Sequence, residues 1–147
     1  MEHNKKLGTA ESCTGGNIAS TLVSVPGSSA YFEGSIVSYS YEVKESILGV
    51  SQETLLKHGA VSEETVQEMA TGLLKVMPVD YALAVSGIAG PGGGLPSKPV
   101  GFVWMAVADK NRVISKKFQF TQNRSDNITL TTVYGLNLVR LFVLGLV

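Results

Sequence analysis

Four consecutive residues, Glu11-Ser12-Cys13-Thr14, bring a carboxylate, a hydroxyl, a thiol and a second hydroxyl together, and Gly15-Gly16 follows at once. Such a segment buries little apolar surface. It reads as a strand-to-helix turn that presents side chains and backbone amides to a ligand. At a helix N-terminus the amides of Cys13, Thr14, Gly15 and Gly16 suit an anion or a developing oxyanion. In that reading Ser12 or Cys13 is the nucleophile and Thr14 the N-cap. In the competing reading Thr14 only caps, the glycines only allow close packing, and Cys13 is a small buried hydrophobe.

A serine nucleophile needs a base, and the chain has only two histidines, His3 and His58. His3 lies in the terminal segment, and His58 sits between Lys57 and Gly59 at a polar helix end. Neither has an acidic partner set by spacing, so a Ser-His-Asp triad is not expected; His58 reads as a helix C-terminal residue favoured by the dipole. A lysine can serve instead when burial or a neighbouring cation lowers its pKa. Lys44 is the candidate, because it follows the strand end Ser38-Tyr39-Ser40 and opens a short helix, with Tyr39 to position it or relay a proton. The competing reading of Lys44 is a solvated helix charge.

A second glycine-rich loop, residues 86–94, follows a strongly apolar run. Repeated glycines let a backbone approach a phosphate or ribose closely. The loop matches neither a phosphate-binding Gly-Lys-Ser/Thr loop nor the dinucleotide fingerprint, and its competing reading is an ordinary flexible loop. Lys98 and Arg124 are the cations available for a phosphate. No His, Cys or carboxylate cluster has metal-ligand spacing, so neither a metal nor a cofactor is expected.

The elements that must hold these residues alternate. Leu7 to Ala10 ends a short buried strand. Ile18, Ala19, Leu22 and Val23 then repeat at helical spacing until Pro26-Gly27. Residues 31–40 read as a strand, 42–48 as a short helix closed by Gly49, and 52–57 as another. Ser62 is a good N-cap, Glu63 and Glu64 complement the dipole, and the Val66, Met69, Ala70, Leu73, Leu74, Met77 face runs to Pro78. Residues 81–86 suit a central strand covered on both faces. Two further strands at 100–107 and 113–120 and a long helix from about Asp126 complete the pattern. The predicted fold is α/β, in layers, with ligands expected outside the carboxyl ends of the strands.

Composition bounds the function. A chain of 147 residues, 44% apolar and 16% charged, fits one domain of a soluble globular protein. Twelve basic and twelve acidic residues leave no net charge, so the footprint of a nucleic-acid binder is missing. A single cysteine permits no internal disulfide, and the N-terminus carries no signal-peptide-like apolar stretch, so a cytoplasmic location is expected. The apolar residues 141–147 are too few to cross a bilayer, which takes ~20, and are expected in the core or a subunit contact.

Taken in order, the motifs resemble one family. They are Ala10-Glu11-Ser12-Cys13-Thr14-Gly15-Gly16, Val25-Pro26-Gly27-Ser28-Ser29, Tyr39 with Lys44, Leu48-Gly49-Val50 and His58-Gly59-Ala60-Val61-Ser62. Met69-Ala70, Gly87-Ile88-Ala89-Gly90-Pro91, Lys98-Pro99-Val100-Gly101 and Arg124 follow. The set is similar to the CinA C-terminal domain, whose characterised members are nicotinamide mononucleotide deamidases; the specificity lies in the order. The resemblance implies a three-layer α/β/α sandwich with a mixed sheet, residues 1–147 forming one such domain in stand-alone form. It implies deamidation of nicotinamide mononucleotide without a metal, and a homodimer. Ser12 would be the nucleophile with Lys44 and Tyr39 assisting, the amides of Cys13, Thr14, Gly15 and Gly16 would hold the oxyanion, and Glu11, Ser86, Gly87, Gly90, Lys98 and Arg124 would bind substrate. A nucleotide-binding or regulatory module that has lost turnover is the alternative. The family name carries an association with competence and DNA damage, but zero net charge argues against DNA as a partner. The chain departs from the family at Tyr41, where an asparagine is usual, at Ser86 for threonine, at Gln122-Asn123 for Gly-Asp, and in the few residues before Leu7 where members carry a helix.

Overall fold

The most apolar run of the chain becomes the central strand of a five-stranded mixed sheet. In the computed structural model, which describes residues 4–147, the strands are β1 (Leu7–Glu11), β2 (Phe32–Val37), β3 (Tyr81–Gly87), β4 (Phe102–Ala108) and β5 (Val113–Gln119), in the order β2-β1-β3-β4-β5. Parallel pairing joins β1 to β2 and to β3, while β3, β4 and β5 run antiparallel. The helices are α1 (Asn17–Val23), α2 (Tyr41–Ser46), α3 (Gln52–His58), α4 (Glu63–Val76) and α5 (Arg124–Val143), with a short 3-10 turn at Ser28–Ala30. Layers of helix cover both sheet faces, giving the expected α/β/α sandwich.

Alternation along β3 explains the layering. Leu83 and Val85 pack with Ile18, Leu22, Leu138 and Phe142 of α1 and α5. Ala82 and Ala84 point the other way, against Val66, Met69 and Leu73 of α4. Small side chains on that face let the bulkier ones of α4 fill the gap, which is how a close-packed interior is built from unequal residues. Lys116 and Lys117 are exposed on β5, and charge on an edge strand discourages further pairing.

The expected elements appear with adjusted ends. The strand expected over residues 31–40 stops at Val37, because Ser38 and Tyr39 turn their carbonyls to a side chain instead of a neighbouring strand. The last helix begins at Arg124, since Asn123 is its N-cap and accepts from the Asp126 amide at 3.0 Å. The apolar C-terminal segment divides: Phe142 is buried, whereas Leu144 and Leu146 are exposed. Among the described residues no helix is long and apolar enough to cross a membrane.

One glycine sets how closely two of these elements approach. A Cβ at Gly72, within α4, would lie 1.8 Å from the backbone oxygen of Leu48, just beyond α2. Gly72→Ala therefore forces α4 and the end of α2 apart. It is expected to cost about 3 kcal/mol, lowering the melting temperature by roughly 10 °C. An unchanged melting temperature would show that this contact does not limit packing.

Candidate active site

The parallel register Glu11↔Val37 and Glu11↔Val85 places the next residue of each chain segment, Ser38, Ser12 and Ser86, side by side at the carboxyl ends of three strands. Backbone bonds hold that row: Ser12 N–H donates to Val85 O at 3.1 Å and Ser38 N–H to Glu11 O at 2.8 Å. Ser12 and Ser86 line a cavity of about 240 Å³ together with Cys13, Tyr39, Lys44 and Arg124. Ala60, Val61, Gly87 and Ala89 complete its wall. A roomier depression of about 310 Å³ between α1 and α5 is lined by Leu7, Leu22, Tyr31 and Val139 and holds no nucleophile beside a base.

Lys44 is not the solvated helix charge of the competing reading; its exposure is 0%. It sits in the last turn of α2, whose N-cap Ser40 accepts from the Val43 amide at 3.2 Å. The helix projects the side chain inward, where Nζ donates to Ser12 Oγ at 2.9 Å, Ser38 O at 2.6 Å and Tyr39 O at 3.2 Å. No carboxylate forms an ion pair with it among the described residues. Burial lowers its pKa to about 8, with Cys13 acting in the opposite direction. At neutral pH about a tenth of such an amine is free base, against roughly one part in 3,000 for an ordinary lysine.

Cys13 is a different matter. Burial pushes its thiol up to about 12. Thiolate, not thiol, is the reactive form of cysteine, so burial works against Cys13, and the side chain that Lys44 Nζ contacts is Ser12. Tyr39 is 64% exposed at the mouth of the cavity, and its observed contact with Lys44 runs through the backbone carbonyl.

Two expectations for the turn are corrected. Thr14 is not the N-cap of α1: the cap position is Gly16, in the left-handed region at φ 99°, with no side-chain capping bond. The capping group comes from Glu11. This fully buried carboxylate accepts from the amides of Ile18 at 2.9 Å and Ala19 at 3.0 Å, from Thr14 Oγ1 at 2.7 Å and from Ser35 Oγ at 3.0 Å. With its oxygens committed to helix, turn and β2, Glu11 holds the turn in place and does not face the cavity.

The substrate-binding expectations divide similarly. Arg124 lies at the cavity, with Nη1 donating to Gly90 O at 2.6 Å. Gly90 supplies that carbonyl from a left-handed turn, φ 89°, where a Cβ would meet Val100 Cγ1 at 2.5 Å; its role is the turn itself. Lys98 does not reach the cavity, because its ammonium is held by His58 O. His58 ends α3 and faces Glu64 at 3.5 Å, away from Ser12's cavity, and His3 lies outside the described residues. Sequence reading missed Ser38, whose carbonyl takes the shortest bond from Lys44, and Ala60, which walls the cavity opposite. A serine closing a strand is a faint signal for the former, and the latter is marked only by lying within the family motif His58-Gly59-Ala60-Val61-Ser62.

Glu11→Ala removes the acceptor for two helix-start amides and three hydroxyls, those of Thr9, Thr14 and Ser35. It is expected to lower unfolding free energy by about 3 kcal/mol, read as a shifted urea midpoint at unchanged slope. Glu11→Gln, which keeps one carbonyl oxygen, is expected to cost less. Equal stability of all three proteins would remove Glu11 from this role.

Comparison with known proteins places the geometry in context. The family model described as the CinA C-terminal domain matches residues 1–143. A CinA-like protein of Endomicrobium trichonymphae is 51% identical over 140 residues, 95% of this chain and 33% of that protein. A CinA-like protein of Leptospira borgpetersenii serovar Hardjo-bovis (strain L550) is 57% identical over 111 residues, 76% of this chain and 27% of that protein. The chain thus spans about a third of the length of the curated relatives it matches. The crystal structure of the competence/damage inducible protein CihA from Agrobacterium tumefaciens superposes with a TM-score of 0.91 at 40% identity, over 92% of this chain and 84% of that one. The competence damage-inducible protein A from Klebsiella pneumoniae superposes with a TM-score of 0.89 at 39% identity, over 92% and 84%. The chain belongs to the CinA C-terminal domain family.

Proposed function

We propose that this protein is an amidohydrolase that converts nicotinamide mononucleotide and water to nicotinic acid mononucleotide and ammonia. The observation that carries the reading is the 2.9 Å contact between Lys44 Nζ and Ser12 Oγ within a walled cavity. Nucleophile and base within hydrogen-bond reach, the base oriented by further groups, is the signature of an activated hydroxyl. The substrate class follows from the family resemblance. Support for it comes from the cavity lining, which contains Lys44 and Arg124 and no carboxylate, a setting that suits a nucleotide phosphate.

As a free base Lys44 has two N–H donors and one lone pair. The carbonyls of Ser38 and Tyr39 engage the donors, and the lone pair is left for the Ser12 hydroxyl proton. Lys44 takes that proton as Ser12 Oγ bonds to the carboxamide carbon and the carbonyl electron pair moves onto oxygen. The resulting oxyanion meets the amides of Cys13 and Thr14, neither of which donates to a backbone carbonyl among the described residues. The Gly15 amide, part of the oxyanion site in the family-based reading, is committed to Ser12 O at 3.1 Å. Lys44 then passes its proton to the amide nitrogen, the C–N bond breaks, and ammonia leaves. Water, deprotonated by Lys44, attacks the Ser12 ester and restores the hydroxyl with release of the acid. Arg124 at the mouth would hold the phosphate.

Purified protein incubated with nicotinamide mononucleotide is expected to release ammonia and the acid nucleotide in equal amounts. Ser12→Ala should reduce turnover by at least about 10³-fold, while Cys13→Ala keeps it within about tenfold. Full activity in Ser12→Ala ends this mechanism, and binding without product favours the regulatory module.

The acid–base step has its own signature. The working form of Lys44 is the neutral amine, so kcat/KM should climb about tenfold per pH unit and level off above pH 8. Lys44→Arg, charged throughout, should be inactive at every pH. A profile that is flat from pH 6 to 9 would exclude Lys44 as the base.

A further inference from the structure

We propose that Ser86 acts as a hydrogen-bond acceptor that selects a neutral carboxamide over a carboxylate, so that the site favours its substrate over its product. The inference rests on the amidohydrolase reading and concerns how the same cavity tells the two nucleotides apart. Amide and acid differ at one group, an NH₂ donor against an ionised oxygen. Lys44 and Arg124 are cationic and attract the acid. Discrimination in favour of the amide therefore has to come from a group that offers only lone pairs.

Ser86 is that group. It stands beside Ser12 on the adjacent parallel strand, one step beyond the Glu11↔Val85 pair, and both side chains line the cavity. Neighbouring strands run about 4.8 Å apart, so a carboxamide within reach of Ser12 is within reach of Ser86. Ser86 is 1% exposed, and its hydroxyl donates its single proton to Ala60 O at 2.7 Å. A carbonyl cannot donate, so the direction of this bond is unambiguous. A hydroxyl has one proton and two lone pairs, and what remains for a ligand is acceptor only.

Ala60 is held so that its carbonyl cannot turn away. Its own N–H donates to Tyr41 Oη at 3.2 Å. The preceding carbonyl, Gly59 O, accepts from Ser62 Oγ at 3.1 Å and Thr65 Oγ1 at 2.7 Å. Tyr41, one of the residues that depart from the family pattern, is thus part of the clamp that keeps the polarity of Ser86 fixed. An amide N–H satisfies the free lone pair, whereas a product carboxylate sets oxygen against oxygen.

The test is a comparison of binding by calorimetry, made in Ser12→Ala protein so that nothing turns over. Affinities for nicotinamide mononucleotide and nicotinic acid mononucleotide are measured with and without Ser86→Ala. Loss of Ser86 should shift the amide-to-acid preference toward the acid by about tenfold or more. Ser86→Thr, which retains the hydroxyl, should keep the preference. Ser86→Cys, which keeps the volume but is a weak acceptor, should move in the same direction as alanine and guards against a folding defect in the latter. An unchanged ratio in both Ser86→Ala and Ser86→Cys, in a protein whose unmutated form releases ammonia, overturns the role of Ser86 alone. Failure of the Ser12→Ala protein to bind either nucleotide overturns the amidohydrolase reading and this inference with it.

Discussion

A lysine ammonium enclosed by the protein, with no counter-ion among the described residues, is the constraint from which the rest of this structure follows. Moving the Lys44 pKa from 10.5 to about 8 corresponds to about 3 kcal/mol against the charged form. The sign is that of a depressed cation. The penalty is present in full below pH 8, where the group is protonated in both folded and unfolded chains. It fades as pH rises from 8 toward 10.5 and the folded protein alone loses the proton. Three acceptors aimed at Nζ offset part of the cost, and two of them are carbonyls freed because β2 ends at Val37. The early end of that strand and the burial of the lysine are one feature seen from two sides.

The second partner in the pair is held by an equally buried group of opposite charge. Glu11 is the last residue of β1, one position before Ser12, and its carboxylate ties the turn and the start of α1 to β2 through Ser35. Its oxygens are satisfied by amides and hydroxyls instead of a cation, so it contributes position without neutralising Lys44. This division separates rigidity from reactivity. The carboxylate fixes where Ser12 stands, and the desolvated amine, with no carboxylate paired to it among the described residues, has its pKa lowered to about 8, the range the proposed base needs at neutral pH.

Packing farther away serves the same pair. Alanines on one face of β3 admit α4, and Gly72 lets α4 approach the backbone just past α2. Leu48, the residue it approaches, lies four positions after Lys44 on the same segment. Gly87 does the corresponding work at the end of β3, where a Cβ would strike Val103 Cγ2 at 2.6 Å and approach Cys13 Sγ at 3.2 Å. Cys13 is accordingly a packing residue under the glycine loop, its thiol kept neutral by the same burial that lowers the amine.

Much of the fold could be read from the chain because its signals are local. Ser62 as an N-cap, the apolar face from Val66 to Met77, and the continuous run at 81–86 each specify an element through neighbours in sequence. The turn from Glu11 to Gly16 announced itself in the same way, by residues too polar and too small for a core. What each of its side chains does was decided elsewhere. Glu11 faces the helix start and not a ligand because the left-handed Gly16 turns the chain so that two amides converge on it. Thr14 loses the capping role for the same reason. Lys98 is diverted to the His58 carbonyl, forty residues away, a contact no local pattern records. Lys44 looked like any surface charge on a short helix; only the tertiary fold, which brings Ser12, Ser38 and Tyr39 around its ammonium, removes the water that would keep it ordinary. Periodicity and capping act within a turn or two of chain, whereas desolvation and hydrogen-bond direction depend on what the tertiary fold brings alongside. The sequence alone therefore determined the layers and where the polar turn lies, and the tertiary structure decided which of its side chains face the cavity and which are tied up in the fold.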